Sequence, residues 1–224
     1  MEAQTLLEKV EDSRPIEMAS RVYTLLARAF SFPADELHRL FRKEGMAEEM
    51  KEMMEGLPFK LEFKGISPIS RSQDDIEILY TNCFDMPMCP CPLYESYHRR
   101  GDRARDDVRE DLLRFYEHFG IGASDKNRDY PDHLVAELEF MAFLSRKEAG
   151  AVKEGKDPSP LRIAQRDFLA RHLSRWVKRL DKVIQSKVID EPFYKGMSSF
   201  MVEFTGSHLK DLNQSIKKIE KERR

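Results

Sequence analysis

The sequence has no long apolar run, no secretory signal and little cysteine. No stretch of about 18 apolar residues occurs in the 224-residue chain, which argues against a transmembrane helix. The first residues, MEAQTLLEKVEDSRP, are acidic and lack the basic and apolar segments of a signal peptide. Three cysteines, an odd number, argue against a disulfide framework. We therefore expect a cytoplasmic protein without stable membrane insertion.

Neither sign of charge dominates. The chain has 38 basic and 40 acidic residues, and its formal net charge is −2. Acidic residues accompany the basic ones almost everywhere, so we predict no nucleic-acid partner. The exception is the tail, KKIEKERR, which we expect to fray into solvent. Hydrophobic residues make up 41% of the chain, enough for a sizeable core, and the charged 35% suits helices with solvated faces.

Catalytic signatures are also absent. The chain has no glycine-rich phosphate loop, no G-x-S-x-G and no Cys–His signature of a nucleophilic enzyme. A hydrolase of the His-Asp type needs His followed by Asp, whereas this chain has Asp132 followed by His133. We predict that the protein is not an enzyme, a nucleotide hydrolase included, and that it needs no cofactor.

Helical periodicity dominates the chain. Apolar residues at helical spacing predict helices over 16–32, 34–55, from 72 onward, 104–119, 131–148, 159–185 and from 190 onward. The helix over 131–148 is apolar around most of its circumference, so we expect it to be central. Prolines exclude helix from 86–92, and 57–70 reads as an extended loop. The prediction is an all-α, single-domain bundle of about eight to ten helices over 1–224, with 1–14 and 206–224 peripheral or frayed.

Cys83, Cys89, Cys91 and His98 have the residue types of a Cys₃His zinc site. Against this, C-x-C is not the usual C-x₂-C, and Cys83 falls at an apolar helical position, where a free cysteine is commonly buried. The sequence leaves open, as the alternative function, a metal-binding or redox-sensing helical protein that uses these cysteines.

Asp132, His133 and Glu137 stand at the start of the central helix. His133 and Glu137 are four residues apart and therefore share one face, where they can form a local polar pair. Asp132 lies at the helix start, where a carboxylate caps free amide groups. Much earlier in the chain, Met86 and Met88 lie on a stretch that cannot be helical and could form an adaptable apolar groove for a peptide.

Three segments resemble a known family. They are PLYESYHR at 92–99, YPDHLVAELEFMAFL at 130–144 and FLARHLSRWVKRL at 168–180. Together they resemble the redox-enzyme maturation chaperones, all-helical proteins that attend molybdenum enzymes of the dimethyl-sulfoxide-reductase family. The resemblance covers about residues 15–205, and CPLYES is most similar to the branch that serves the type II enzymes. It implies a chaperone that binds the twin-arginine leader peptide or the apo catalytic subunit, assists cofactor insertion and proofreads before export or assembly.

The resemblance also implies a peptide-binding site. Carried over to this chain, its residues are Tyr80, Phe84, Leu93, Tyr94, Glu95, Asp132, His133 and Glu137. We expect the carboxylates to meet the leader's arginines through charge-assisted hydrogen bonds, and the apolar side chains to cover the segment that follows. Members of the family occur as monomers and as domain-swapped homodimers, and the sequence leaves both states open, as it does the identity of the client enzyme.

Overall fold

Ten α-helices and one π-helical turn form the secondary structure of the residues that the computed structural model describes, which are 12–42, 45–61, 65–99, 105–122, 130–186 and 189–222. The first five helices are α1 (Arg14–Ala29), α2 (Asp35–Arg42), α3 (Met46–Glu55), α4 (Gln73–Tyr80) and α5 (Glu95–His98). The other five are α6 (Arg105–His118), α7 (Leu134–Lys153), α8 (Ser159–Arg171), α9 (Leu173–Gln185) and α10 (Pro192–Glu222). No strand occurs in these ranges, so the prediction of an all-α bundle is confirmed.

Helix α7 is the central helix. It packs along α1 and also contacts α8 and α9. Its Ala142 carbonyl accepts a hydrogen bond of 2.9 Å from the buried Ser20 hydroxyl of α1. Leu134, Leu138, Met141 and Leu144 of this helix are all fully buried. The prediction from its apolar circumference is confirmed, although the helix begins at Leu134 and continues to Lys153.

Two segments that were predicted as single helices are each divided in two. Gly45 separates α2 from α3, because its φ of 102° is left-handed and favours glycine. His172 separates α8 from α9 with φ −121° and ψ −96°, which is not helical. This backbone turns the His172 ring between the carboxyl groups of Glu95 and Asp111. The single-helix predictions for 34–55 and 159–185 are therefore wrong.

The last described residues, up to Glu222, belong to a long helix. Helix α10 has 31 residues and buries Leu212 and Ile216 near its end. The expectation of fraying therefore does not hold for 206–222, whereas the peripheral position of 1–14 and 206–224 stays a prediction. Residues 223–224 and 1–11 lie outside the described residues. None of the helices in the described ranges is long and apolar enough to cross a membrane.

A cluster of aromatic rings joins α1, α2, α4, the π-helical turn (Thr81–Asp85) and α10. The ring centroids lie 5.2 Å apart for Tyr80 and Phe84, 5.1 Å for Phe84 and Tyr194, and 4.9 Å for Phe41 and Phe193. Rings at these separations gain from both apolar burial and ring–ring contact. This aromatic core fixes the start of the non-helical segment at 86–92, which leads to α5.

Candidate functional site

A short backbone ladder brings the predicted segments at 92–99 and 130–144 together. The amide of Leu134 donates to the carbonyl of Leu93, and the amide of Glu95 donates to the carbonyl of Asp132, both at 2.8 Å. Between these bonds, Tyr94 forms an isolated antiparallel bridge with His133. The ladder places the beginning of α5 against the beginning of α7, so residues far apart in sequence share one site.

Asp132 caps a helix, but not the one that follows it. Its fully buried carboxylate accepts from the Ser96 amide of α5 at 3.2 Å and from Nε of Arg109 at 3.0 Å. The residue that caps α7 is His133, whose Nδ1 accepts from the Val135 amide at 3.3 Å. The prediction that Asp132 caps the central helix is wrong, because the ladder holds this residue beside the free amides of α5.

Glu95 belongs to a chain of ionisable groups, of which Glu95, Asp111 and His172 are buried. One oxygen accepts from Nδ1 of His172 at 2.9 Å, and the other lies 2.5 Å from Nη1 of Arg99. Nε2 of His172 lies 3.3 Å from a carboxylate oxygen of Asp111, which also pairs with Arg171. Buried carboxylates are tolerated when cations and hydrogen bonds compensate them, as they do here.

Glu137 is fully buried close to this chain. Its Oε2 accepts from Nε1 of Trp176 at 3.2 Å, and its Oε1 has no hydrogen-bond partner among the described residues. Burial raises the pKa of Glu137 well above its ordinary value, and the nearby Glu95 raises it further. Burial therefore favours the neutral form of this carboxyl group, which bonds Trp176 of α9.

A rim of three tyrosines borders the site on the surface. The Tyr94 ring lies 6.2 Å from that of Tyr97 and 6.3 Å from that of Tyr130. Tyr97 is 52% exposed and Tyr130 is 57% exposed. The guanidinium of Arg105 lies 4.2 Å above the Tyr97 ring, and that of Arg109 lies 3.8 Å above the Tyr130 ring. This tyrosine rim therefore already holds two guanidinium groups.

The predicted site residues fall into two groups. Leu93, Tyr94, Glu95, Asp132, His133 and Glu137 lie together around α5, and of these only Tyr94 is not buried. Tyr80 and Phe84 lie in the aromatic core, where the Tyr80 hydroxyl donates to the Phe30 carbonyl at 2.9 Å. Phe32, whose ring lies 5.6 Å from that of Tyr80, is 44% exposed. In the segment that follows Phe84, Met86 is 49% exposed and Met88 is fully exposed.

The cysteines lie apart from this site. Cys83 and Cys91 are buried and Cys89 is half-buried, and burial raises the pKa of all three thiols. The ring of His98 stacks on Trp176, and its Nε2 bonds the Pro92 carbonyl at 2.7 Å. Within the described ranges, no three His, Cys, Asp or Glu side chains are placed to hold a metal ion. Protonated, buried thiols are poor nucleophiles and poor ligands.

Several partners in the site were not predicted from the sequence. They are Asp111, Arg99, Arg109, Arg171 and, in its role between two carboxylates, His172. Asp111 carried a usable signal, because it is a polar residue on the apolar stripe of α6. His172 carried one too, because it falls at an apolar position of the single helix predicted over 159–185. The arginines carried none, since arginine is common on exposed helix faces.

Comparison with known proteins places the chain in a family. Residues 35–181 match the family model described as nitrate reductase delta subunit. A chlorate reductase assembly chaperone protein of Ideonella dechloratans is 30% identical over 208 residues, 92% of this chain and 96% of the relative. A perchlorate reductase assembly chaperone protein of Dechloromonas aromatica is 32% identical over 217 residues, 93% of this chain and 95% of the relative.

A third relative is more similar over a shorter length. The selenate reductase assembly chaperone protein of Thauera selenatis is 39% identical over 129 residues, 57% of this chain and 66% of the relative. The resemblance to the redox-enzyme maturation chaperones is therefore confirmed. Since the family model covers well over half of its length, the chain belongs to the nitrate reductase delta subunit family.

Proposed function

We propose that this protein is a cytoplasmic assembly chaperone for a molybdoenzyme. It binds the apo catalytic subunit and its twin-arginine leader, assists insertion of the cofactor and delays export or assembly until the subunit is folded. The observation that carries this proposal is similarity along nearly the whole chain to proteins named as reductase assembly chaperones. The task is holding a partner rather than catalysis, so the buried carboxylates act in binding and positioning.

The tyrosine rim and Asp132 are the place proposed for the leader's arginines. They already bind guanidinium groups of the chain itself, since Arg109 pairs with Asp132 and covers Tyr130. Asp132 is fully buried, so a leader arginine reaches it only by displacing Arg109. A second arginine can reach the half-exposed Tyr97 ring by displacing Arg105, which is exposed and stacks on that ring.

The apolar part of the leader is proposed to lie over Met86 and Met88. Methionine side chains are flexible and polarisable, so they can adapt to leaders of different sequence. Tyr80 and Phe84 support this surface from the aromatic core. The start of α7 and helix α5 are held in place by buried side chains beneath the surface, namely those of Glu95, His133 and Glu137. Ordering a disordered leader costs entropy, so an affinity of roughly micromolar is expected.

The first test is recovery of the client. The tagged protein is purified from its native host, and the proteins bound to it are identified by mass spectrometry. A molybdopterin-binding subunit that still carries its leader supports the proposal. Recovery of the protein alone, under conditions that preserve weak complexes, contradicts it.

The second test addresses the arginine site. Arg109→Gln removes the internal guanidinium from Asp132 and Tyr130, so a labelled leader peptide should bind about fivefold more tightly, or about 1 kcal/mol. The matched control is Arg114→Gln on the same helix, since Arg114 forms an ion pair with the exposed Glu110. A leader with two lysines in place of the arginines should lose the gain, because lysine cannot stack on tyrosine in the same way. Unchanged binding by Arg109→Gln contradicts this placement of the leader.

A further inference from the structure

A cleft lined by basic residues opens at the C-terminal end of α5. Its volume is about 310 Å³. Its lining residues are His98, Arg99, Arg175, Lys178, Arg179 and Lys182. None of these is acidic, although acidic residues slightly outnumber basic ones in the chain as a whole. We call this feature the basic cleft.

Helix α9 supplies four of the cations at regular spacing. Arg175, Lys178, Arg179 and Lys182 lie at intervals of three, one and three residues, which places them on one face of the helix. Seven residues of helix span about 10 Å, so the charges form a stripe rather than a point. The opposite face, with Trp176 and Leu180, is fully buried, which holds the stripe in a fixed orientation.

The cations of the cleft are of two kinds. Two arginines are fixed by hydrogen bonds to backbone carbonyls, whereas three outer side chains have no ion-pair partner in the described ranges. Arg179 donates to the carbonyl of His98, and Arg99 donates to the carbonyl of Arg171 at 2.8 Å. Arg175, Lys178 and Lys182 are exposed and form no ion pair with a residue in the described ranges. Arg99 has the one carboxylate partner, Glu95, which is fully buried and shared with His172.

The geometry points to a partner with several separated negative charges. We propose that the basic cleft binds an acidic polypeptide segment of a partner protein, with carboxylates spaced along about 10 Å. Phosphate sites commonly use backbone amides at a helix N-terminus or a glycine-rich turn, whereas this cleft is lined by side chains along the body of α9. Carboxylates at intervals of three or four residues on a helical partner would match the stripe.

The test uses a labelled synthetic peptide and does not depend on the client enzyme. An alanine-rich helical peptide with four glutamates at positions i, i+3, i+4 and i+7 is titrated with the whole protein, and binding is followed by fluorescence anisotropy. The same peptide with glutamines should bind at least about tenfold more weakly. The affinity of the glutamate peptide should fall as salt is raised to about 0.2 M.

Charge reversal in the cleft gives the decisive comparison. Arg175→Glu/Lys182→Glu should weaken binding of the glutamate peptide at least about tenfold, and the milder Arg175→Gln/Lys182→Gln should weaken it less. The control is Lys210→Glu/Lys217→Glu, which changes the net charge equally at two exposed positions seven apart on α10. This control should retain affinity within about twofold.

Three results would overturn the proposal. One is absence of binding to the glutamate peptide, and another is an equal loss of affinity in the α10 control, which would reflect net charge alone. The third is that inorganic pyrophosphate binds more tightly than the peptide and that the cleft variants lose this binding. That result would assign the cleft to phosphate. Circular dichroism of each variant shows whether it is folded. The proposed chaperone function is tested separately, by recovery of a client subunit. If the charge-reversed protein still recovers that subunit, the chaperone function stands even where the peptide titrations overturn the cleft assignment.

Discussion

The aromatic core and the site around α5 are both buried, but they are built from opposite kinds of contact. In the aromatic core, Phe84 and Tyr194 pack ring against ring at 5.1 Å. Around α5, the fully buried Glu95 is held by His172 and Arg99 through hydrogen bonds of 2.9 and 2.5 Å. Apolar packing is non-directional, whereas each buried charge requires its particular partner. The first region therefore supplies stability, and the second fixes the geometry of the surface above it.

The largest expected difference between the regions lies in their response to conservative change. Glu95→Gln keeps the size of the side chain but removes the charge that compensates His172 and Arg99, so it should lower the free energy of unfolding by about 3 kcal/mol. In the apolar core, Met197→Leu should cost less than about 1.5 kcal/mol, because Met197 is fully buried among apolar contacts. Urea denaturation of both variants measures the two costs. Equal costs would mean that the two regions do not differ in this way.

The next difference is in pH dependence. The pKa of Glu137 is raised by burial from an ordinary value of 4.5, so the folded protein keeps a proton that the unfolded chain releases above about pH 4.5. The stability that this proton provides is complete below about pH 4.5 and is lost as pH rises toward the folded pKa. Glu137→Gln cannot titrate and keeps an acceptor for Trp176.

Above about pH 5 the parent protein should therefore lose stability that Glu137→Gln keeps. The difference between their free energies of unfolding should grow by up to about 1.4 kcal/mol per pH unit. Denaturation series at several pH values measure this difference. Glu220→Gln on the exposed end of α10 is the control and should track the parent protein at every pH. A flat difference for Glu137→Gln would show that its carboxyl group is not held neutral by the fold.

A smaller effect is expected for a hydrogen bond within the aromatic core. Tyr80→Phe removes the hydrogen bond from the Tyr80 hydroxyl to the Phe30 carbonyl and leaves the ring contacts with Phe84 unchanged. The free energy of unfolding should fall by about 1 kcal/mol, without dependence on pH near neutrality. Thermal denaturation measures it. A loss as large as that of Glu95→Gln would mean that hydrogen bonding dominates this region too.

The smallest effect is expected at the cysteines. Cys89→Ser replaces a half-buried thiol by a hydroxyl of similar size, so stability should change by less than about 0.5 kcal/mol and metal content should not change. Metal analysis of protein purified without added zinc checks the second point. Near-stoichiometric metal in the parent protein, lost in Cys89→Ser, would instead support the metal-binding alternative.

The two regions also differ in how far the sequence predicts them. The apolar stripes of α1, α7 and α10 follow helical periodicity, and so does the central place of α7. The break at His172 has a tertiary cause, the two carboxyl groups on either side of its ring, and no local signal marks it. Asp132 illustrates the same limit, because the amide it caps belongs to Ser96 and lies 36 residues earlier. Periodicity predicts which side chains are buried, but not which buried charges meet.

Three contacts around α5 join residues before 123 to residues after 129. Tyr94 meets His133, Arg109 meets Asp132, and Glu95 meets His172 across this division. If two copies exchanged the parts of the chain on either side of it, each of these contacts would form again between the copies. A monomer and an exchanged dimer would then have the same contact energy at the site, and protein concentration would select between them.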